Sequence, residues 1–240
     1  MRLGDVPIYI LDVETTGIDP KKSYVCEIGI ERWLPPDYSG SVERTQWSSL
    51  VRPPCRIPPA ASAIHGIYDS DVREAPPFAA VLAIFRTLVP AGSLVIAHNI
   101  AFDGAFVDLE GRYRGCTLRL AQRLWPSAPS HKNSELALWL GLEVGSAPLH
   151  RVAADIAVTG GIFQRILLRM AELDGVAPTL EEICRLSSPE EPVGHLPFGK
   201  YRGEPLSAVP TEYLRYARDK WHDVEPGIRT AILAEIERRS

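Results

Sequence analysis

Long apolar runs and paired cysteines are missing from this chain. No stretch approaches the roughly 18 consecutive apolar residues of a membrane-spanning helix, and no basic leader precedes the first short apolar run. We therefore expect a cytoplasmic protein with no membrane partner. The four cysteines, Cys26, Cys55, Cys116 and Cys184, lack the paired spacing of a zinc site or a redox motif. Buried free thiols are expected, without a disulfide framework.

The sequence also lacks an excess of basic residues. It contains 26 lysines and arginines against 30 acidic residues, a formal net charge of −4 at pH 7. This balance argues against a protein that holds nucleic acid by charge alone. It is compatible with an enzyme that binds phosphates through divalent cations, because such ions give an acidic site local positive charge. With 240 residues, 45% of them hydrophobic, the chain can bury one medium domain and a small appendage.

Two acidic residues, Asp12 and Glu14, close the first apolar run of the chain. In a strand they point to the same face, about 6.6 Å apart along the chain. Two carboxylates brought to about 5 Å repel by roughly 3 kcal/mol at an effective dielectric near 20 unless a cation lies between them. Hard divalent cations are bound by such oxygen pairs. From this stretch alone, a strand that runs into a polar loop with solvated carboxylates explains the pattern equally well.

Alternation and turn residues predict an α/β order of elements. Residues 24–34 and 45–52 are expected to be strands, paired antiparallel because their connection is short. Helical periodicity covers 78–88, and a buried strand covers 93–97. Asn99 is then well suited to cap the next helix.

Asp103 follows that cap, in the segment His98-Asn99-Ile100-Ala101-Phe102-Asp103. If Asn99 is the cap, Asp103 is expected in the first helical turn or just past it, close to the end of the preceding strand, where α/β folds usually place chemistry. A solvated aspartate stabilised by the helix dipole is the alternative. For His98 we expect a structural role.

The last informative stretch, His150-Arg-Val-Ala-Ala-Asp155, enters a helix with apolar residues at a 3.6-residue period. If both were helical, His150 and Asp155 would lie roughly 140° apart. A shared site therefore requires His150 in a loop before the helix. Gly160 and Gly161 in mid-helix cost about 1 kcal/mol each relative to alanine, which predicts the close approach of another backbone.

Acids from separate segments and one histidine together suit phosphodiester hydrolysis. Asp12, Glu14 and Asp155 are predicted to hold one divalent cation, and Asp12 and Asp103 a second, partly through water. Two such ions about 3.5 to 4 Å apart clamp a phosphodiester between them. His150, with a reference pKa of about 6.5, is suited to take the proton from the attacking water at neutral pH.

The D-x-E-T-T-G start, the H-N-x-x-F-D segment and the H-x-x-x-x-D pair, in this order, resemble the three motifs of the DEDDh (DnaQ-like) family of 3′–5′ exonucleases. The resemblance covers roughly residues 6–170 and fills all five catalytic positions. It implies a ribonuclease H-like fold, with a mixed β-sheet flanked by helices. It also implies a requirement for two Mg²⁺ ions, with Mn²⁺ as a substitute, and release of nucleoside 5′-monophosphates from DNA 3′ ends, single-stranded or duplex, in DNA repair or end trimming.

The same resemblance suggests substrate contacts. Thr15 and Thr16 are expected to flank the terminal nucleotide, and Ile64 and His65 to pack against terminal sugars or bases. From the residues alone, a hydrogen-bonded loop histidine is an equal interpretation of His65.

We expect an exonuclease domain over residues 1–174, a short helix and linker over 175–195, and a small α-rich C-terminal module over 196–240. The module contacts either the DNA backbone or a protein surface, on the nuclease itself or on a partner. Two other functions stay open. One is an RNA exonuclease, because the sequence does not identify contacts that read a 2′-hydroxyl. The other is a non-catalytic, polymerase-associated module that binds DNA ends. The complete acidic set argues against the second, since binding alone does not require it.

Overall fold

A mixed β-sheet forms the centre of the structure, a computed structural model that describes residues 1–34, 46–143, 151–188, 194–196, 199–221 and 226–239. Its five strands have the spatial order β3-β2-β1-β4-β5. They are β1 (Ile8–Thr15), β2 (Val25–Trp33), β3 (Gln46–Leu50), β4 (Leu94–Ala97) and β5 (Tyr113–Cys116).

Strands β1, β2 and β3 pair antiparallel, as predicted. Strands β4 and β5 continue the sheet in parallel with β1. Parallel neighbours require crossover connections, which here run through helices and place these on the faces of the sheet. The predicted strands at 24–34, 45–52 and 93–97 are confirmed to within two residues at each end.

Ten helices surround the sheet and extend beyond it in the described ranges. Helix α3 coincides with the predicted range 78–88, because its apolar period is regular. The helices are α1 (Pro59–His65), α2 (Asp69–Val72), α3 (Phe78–Leu88), α4 (Ile100–Phe106), α5 (Thr117–Leu124), α6 (Asn133–Trp139), α7 (Val152–Asp174), α8 (Leu180–Ser187), α9 (Thr211–Lys220) and α10 (Pro226–Arg238), with short 3₁₀ turns at Leu3–Asp5 and Leu206–Ala208. None of the described helices has the length and apolar character needed to cross a membrane.

Both faces of the sheet are covered by apolar cores. Ile10 of β1 belongs to the core beneath α5, α6, α7 and α8, whereas its neighbour Leu11 belongs to the core beneath α3 and α4. Successive side chains of a strand point to opposite faces, so a strand buried on both sides is apolar at nearly every position. The expected mixed sheet flanked by helices is confirmed.

Helix α7 lies close to β2 because Gly29 has no side chain. A Cβ at Gly29 would lie 2.8 Å from Cγ2 of Val152 in the first turn of α7, closer than nonbonded carbon atoms pack. Other groups also lie close to Gly160 and Gly161 of α7, but the prediction that another backbone lies against them is wrong. Their neighbours are side chains, since the Trp33 indole donates to the Gly160 carbonyl at 3.3 Å and a Cβ at Gly161 would lie 3.2 Å from Leu142.

All four cysteines lie in the described ranges and are free thiols, as expected. Cys26 and Cys116 are buried and Cys184 is partly buried. The expectation of burial is wrong for Cys55, which is exposed in the proline-rich connection between β3 and α1.

The C-terminal residues have a core of their own. Helix α8 still packs with the sheet, because Leu180 and Ile183 belong to the core beneath α7. A guanidinium N–H of Arg202 donates to the carbonyl of Pro129, in the connection between α5 and α6. The buried apolar residues of the separate core are Leu196, Leu206, Val209, Leu214, Ala217, Ile228, Ala231, Ile232 and Ile236.

Candidate active site

The two acids of β1 project from one face of the sheet, as the strand period predicts. Asp12 pairs with Gly29 and Glu14 pairs with Glu27 in the antiparallel register with β2. Ile10, two residues before Asp12, packs in the core beneath α7. Asp12 and Glu14 therefore continue the row of side chains that faces α7.

Helix α7 brings a third carboxylate to this row. Asp155 lies in its first turn, and one carboxylate oxygen from each of Asp12, Glu14 and Asp155 lies within 4.8 Å of the other two. All three residues are partly buried. Three oxygens this close repel one another unless protons or cations neutralise them, and hard divalent cations prefer such ligands. The cluster can therefore hold a divalent cation.

Asp103 approaches β1 from helix α4. It is buried, and its Oδ1 accepts a hydrogen bond from the backbone N–H of Val13 at 3.2 Å. Val13 lies between the two acids of the strand, so Asp103 joins the same end of the sheet. This confirms the predicted position of Asp103 in the first turn of α4, close to the end of β4.

Asn99 precedes α4 as predicted, but the expectation of a capping side chain is wrong. Its side chain makes no capping hydrogen bond, and its Oδ1 is buried without a hydrogen-bond partner within the described ranges. The backbone at Asn99, with φ −124° and ψ 79°, departs from the extended conformation of most capping residues. Its carbonyl still begins the helix by accepting from the Phe102 N–H at 2.8 Å.

His98 has the structural role that the sequence suggested. Its Nδ1 lies 3.0 Å from Oγ1 of Thr117, and its Nε2 lies 2.8 Å from the carbonyl oxygen of His131. Burial lowers the pKa of His98 to about 4, so the ring is neutral at pH 7. It ties the end of β4 to α5 and to the turn before α6.

Burial and mutual repulsion raise the pKa values of the clustered acids. Burial, followed by repulsion from Asp103 and Asp155, raises the pKa of Asp12 well above its usual range. The pKa of Glu14 is raised to about 8 by burial and by Asp155. Burial raises the pKa of Asp103 to about 7, although the hydrogen bond from Val13 partly offsets it. The shifts of Asp12 and Glu14 include the cost of gathering negative charge, whereas that of Asp103 comes from burial.

These pKa values predict how the stability of the cation-free protein varies with pH. A carboxyl group whose pKa is higher in the folded than in the unfolded chain stabilises the fold while protonated, and this stabilisation is lost as the pH rises through the folded-state pKa. For Glu14 and Asp103 the loss extends up to pH values of about 8 and about 7. His98 acts oppositely, because its lowered pKa favours folding as the pH rises towards 6.5. The acids therefore dominate above pH 6.5.

We expect the melting temperature in chelator to fall between pH 6.5 and 8, the range above the usual histidine pKa and up to the pKa of Glu14. Added Mg²⁺ should raise it more at the upper end of this range, where the carboxylates are ionised. Thermal denaturation followed by circular dichroism measures both effects, and Glu14→Gln should make the fall shallower. A melting temperature in chelator that rises across this range would contradict the cluster electrostatics.

Two contacts at the site were missed from the sequence. The Asn133 amide, at the start of α6, lies 3.5 Å from Asp155 Oδ1 and 3.1 Å from Thr159 Oγ1. Arg151 donates from Nε and Nη2 to the carboxylate of Glu27, at 2.9 and 2.8 Å. One feature of the sequence could have predicted a partner for Glu27. It is a charged residue within the strand Val25–Trp33, next to apolar residues, and a buried ion needs a partner.

The hydroxyl groups of Thr15 and Thr16 hold the turn that leaves β1. Thr15 donates to the Gly17 carbonyl at 2.8 Å, and the Thr16 hydroxyl accepts from the Tyr24 N–H at 2.9 Å. Both residues are buried beside the acids. Contact with a terminal nucleotide stays a prediction for both.

The contacts of His65 favour a structural role. It is buried at the end of α1, where Nδ1 accepts from the Ile67 N–H at 3.0 Å and Nε2 lies 3.7 Å from the Cys26 sulfur. Ile64 is 61% exposed, so its contact with terminal sugars or bases stays a prediction. His150 lies outside the described residues, and its predicted role as a base stays a prediction as well.

The fold and the gathered carboxylates define a class, the ribonuclease H-like nucleases. Residues 9–163 match the model of the Exonuclease family (RNase_T), a range that contains Asp12, Glu14, Asp103 and Asp155. The chain belongs to this family and is an enzyme of the DnaQ-like (DEDDh) 3′–5′ exonuclease group.

Curated relatives and a solved structure agree with this family. The chain is 32% identical over 192 residues to the 3′-5′ exonuclease DinG of Bacillus subtilis, a match that covers 74% of this chain but 19% of that relative. It is 27% identical over 237 residues to exodeoxyribonuclease 10 of Escherichia coli strain K12, covering 95% of this chain and 98% of the relative. Exonuclease X in complex with 5′ overhanging duplex DNA superposes with a TM-score of 0.61 at 28% identity, over 75% of this chain and 99% of that chain.

Proposed function

We propose that this chain is a 3′–5′ exodeoxyribonuclease, which hydrolyses phosphodiester bonds at DNA 3′ ends and releases nucleoside 5′-monophosphates. The observation that carries the proposal is the cluster of Asp12, Glu14 and Asp155 oxygens within 4.8 Å of one another, with Asp103 bound to the same strand. The names of the full-length relative exodeoxyribonuclease 10 and of the DNA-bound exonuclease X support DNA as the substrate. DNA repair or end trimming is the proposed setting.

The carboxylates fit divalent cations, because they offer only oxygen ligands and because burial and mutual repulsion already raise the pKa values of Asp12 and Glu14. Asp12, Glu14 and Asp155 would hold one ion, and Asp12 and Asp103 a second. Magnesium is the proposed ion, with manganese as a substitute. When bound, such a pair of ions stabilises the attacking and leaving oxygens of a phosphodiester.

His150 is proposed as the general base. In the sequence it directly precedes Arg151, the N-cap residue of the helix that carries Asp155 in its first turn. An imidazole is neutral and able to accept a proton near pH 7. Its proposed task is to take the proton from the attacking water.

We propose that the chain divides as the sequence indicated, into an exonuclease domain (1–174), a short helix and linker (175–195) and a C-terminal module (196–240). The separate apolar core of the module supports this division. Within the middle segment, Leu180 and Ile183 of α8 pack on the main core, so the short helix lies against the proposed exonuclease domain. The contact of Arg202 with Pro129 supports docking of the module on the nuclease.

The proposed function predicts the products from end-labelled DNA. With Mg²⁺, a 5′-labelled strand should shorten stepwise, whereas a 3′-labelled strand should release its label at once as a mononucleotide. Chelator should stop both reactions, because the carboxylates then repel one another and hold no ion. Denaturing gels of single-stranded and duplex substrates measure polarity, product and strand preference together.

A matched RNA oligomer distinguishes the alternatives. Digestion of RNA in preference to DNA would replace the proposed substrate with RNA, and binding to DNA ends without products would favour the non-catalytic module. Release of mononucleotides first from the 5′ end would contradict the proposed polarity.

A further inference from the structure

An ion pair with one buried member, Glu27, lies beside the acidic cluster but is not part of it. The Glu27 side chain is 6% exposed, whereas that of its partner Arg151 is 45% exposed. Glu27 directly opposes Glu14 across β1 and β2. A carboxylate buried next to other acids is costly unless a cation compensates it. Arg151 compensates it with two parallel hydrogen bonds, the strongest geometry that a guanidinium and a carboxylate form.

Arg151 also begins the helix that carries Asp155. It is the N-cap residue of α7, and its carbonyl accepts from the N–H groups of Ala154 at 2.9 Å and Asp155 at 3.1 Å. Its side chain holds strand β2 at Glu27, while its backbone holds the helical turn that bears Asp155. Arg151 thus links β2 directly to the turn that bears Asp155, next to the packing of Val152 on Gly29.

We propose that Arg151 and Glu27 are a positioning pair, which fixes the first turn of α7 against β2 and thereby sets Asp155 relative to Asp12 and Glu14. The same anchor fixes the chain at the residue that follows His150. Neither member is a cation ligand in this proposal. The inference rests on the proposed function, since it assigns the pair to the assembly of that site.

The test compares Arg151→Met, Arg151→Lys, Glu27→Gln and the double variant Glu27→Gln/Arg151→Met as full-length proteins. Arg169→Met is the matched control, because Arg169 pairs with Glu172 on the same helix at an exposed site. The readouts are kcat and KM on 3′-labelled DNA, Mg²⁺ affinity by calorimetry without substrate, and the melting temperature. Loss of a residue that orients metal ligands typically lowers affinity or activity by about 10- to 100-fold.

We expect Arg151→Met to weaken Mg²⁺ affinity and kcat within that range while KM changes little, because substrate contacts are retained. Arg151→Lys should recover part of the loss, since lysine supplies the charge without the planar fork. The double variant should be no worse than Arg151→Met alone, because both changes break one interaction. Arg169→Met should behave as the unaltered protein.

Wild-type Mg²⁺ affinity and kcat in a folded Arg151→Met protein would overturn the proposal. Losses of Arg151→Met and Glu27→Gln that add in the double variant would overturn it equally, because the two residues would then act independently. If the unaltered protein binds Mg²⁺ but does not cleave DNA, the proposed function fails, and calorimetry still decides whether the pair positions the ligands.

Discussion

Replacing Asp12 with alanine should lower the rate of 3′-end hydrolysis by at least about a thousandfold, which corresponds to roughly 4 kcal/mol of transition-state stabilisation. Asp12 is the residue expected to contact both cations, so its loss removes a ligand from each. Asp155→Ala should have a comparable effect, because Asp155 is the ligand that α7 supplies to the cluster. Initial rates on 3′-labelled DNA at saturating Mg²⁺ measure the loss.

The fold should tolerate both substitutions. The raised pKa of Asp12 shows that its charge opposes the folded state in the absence of a cation, so the melting temperature of Asp12→Ala in chelator should equal or exceed that of the unaltered chain. Asp108→Ala is the control, because Asp108 is an exposed aspartate that follows α4 and pairs with Arg86. Activity within a few fold of wild type in folded Asp12→Ala or Asp155→Ala would refute the ligand assignment.

Replacing His150 with alanine should have the second largest effect, a loss of about 10²- to 10⁴-fold near neutral pH, as is typical when a general base is removed. The loss should be incomplete, because the carboxylates still hold the cations. The pH profile is the decisive measurement. The rate of the unaltered enzyme should rise as an imidazole with a pKa of about 6.5 loses its proton, and this rise should be missing from the variant.

His195→Ala provides the matched control for the histidine, since His195 is exposed in the C-terminal module and pairs by its backbone with Pro205. It should retain the activity and pH profile of the unaltered chain. If His150→Ala also kept the wild-type profile, another group would have to serve as the base.

Local patterns predicted most of the fold and the acidic set. The alternation of β1 placed Asp12 and Glu14 on one face, and the regular apolar period of α3 set both of its ends. These features depend on neighbours within a few residues, so they are readable from a single sequence. The assembly of Asp103 and Asp155 with the strand followed from the chemistry that such acids share.

Contacts between distant segments were beyond the sequence. Glu27 and Arg151 are 124 residues apart, and only the folded sheet brings them together. Asn99 has the residue type of a cap, yet its backbone, at φ −124° and ψ 79°, is not extended and its side chain makes no capping hydrogen bond. The backbone neighbour predicted for Gly160 is instead a side chain, because the Trp33 indole lies beside it and donates to its carbonyl.

The missing side chain at Gly29 has a consequence for the spacing of the catalytic ligands. Gly29 is the cross-strand partner of Asp12, and it lets Val152 of α7 rest against the sheet backbone. The gap between the strand-borne and helix-borne carboxylates is therefore set by the thickness of a bare peptide unit. A methyl group at this one position would push α7 away from β2. It would widen the distance from Asp155 to Asp12 and Glu14 without changing any ligand oxygen.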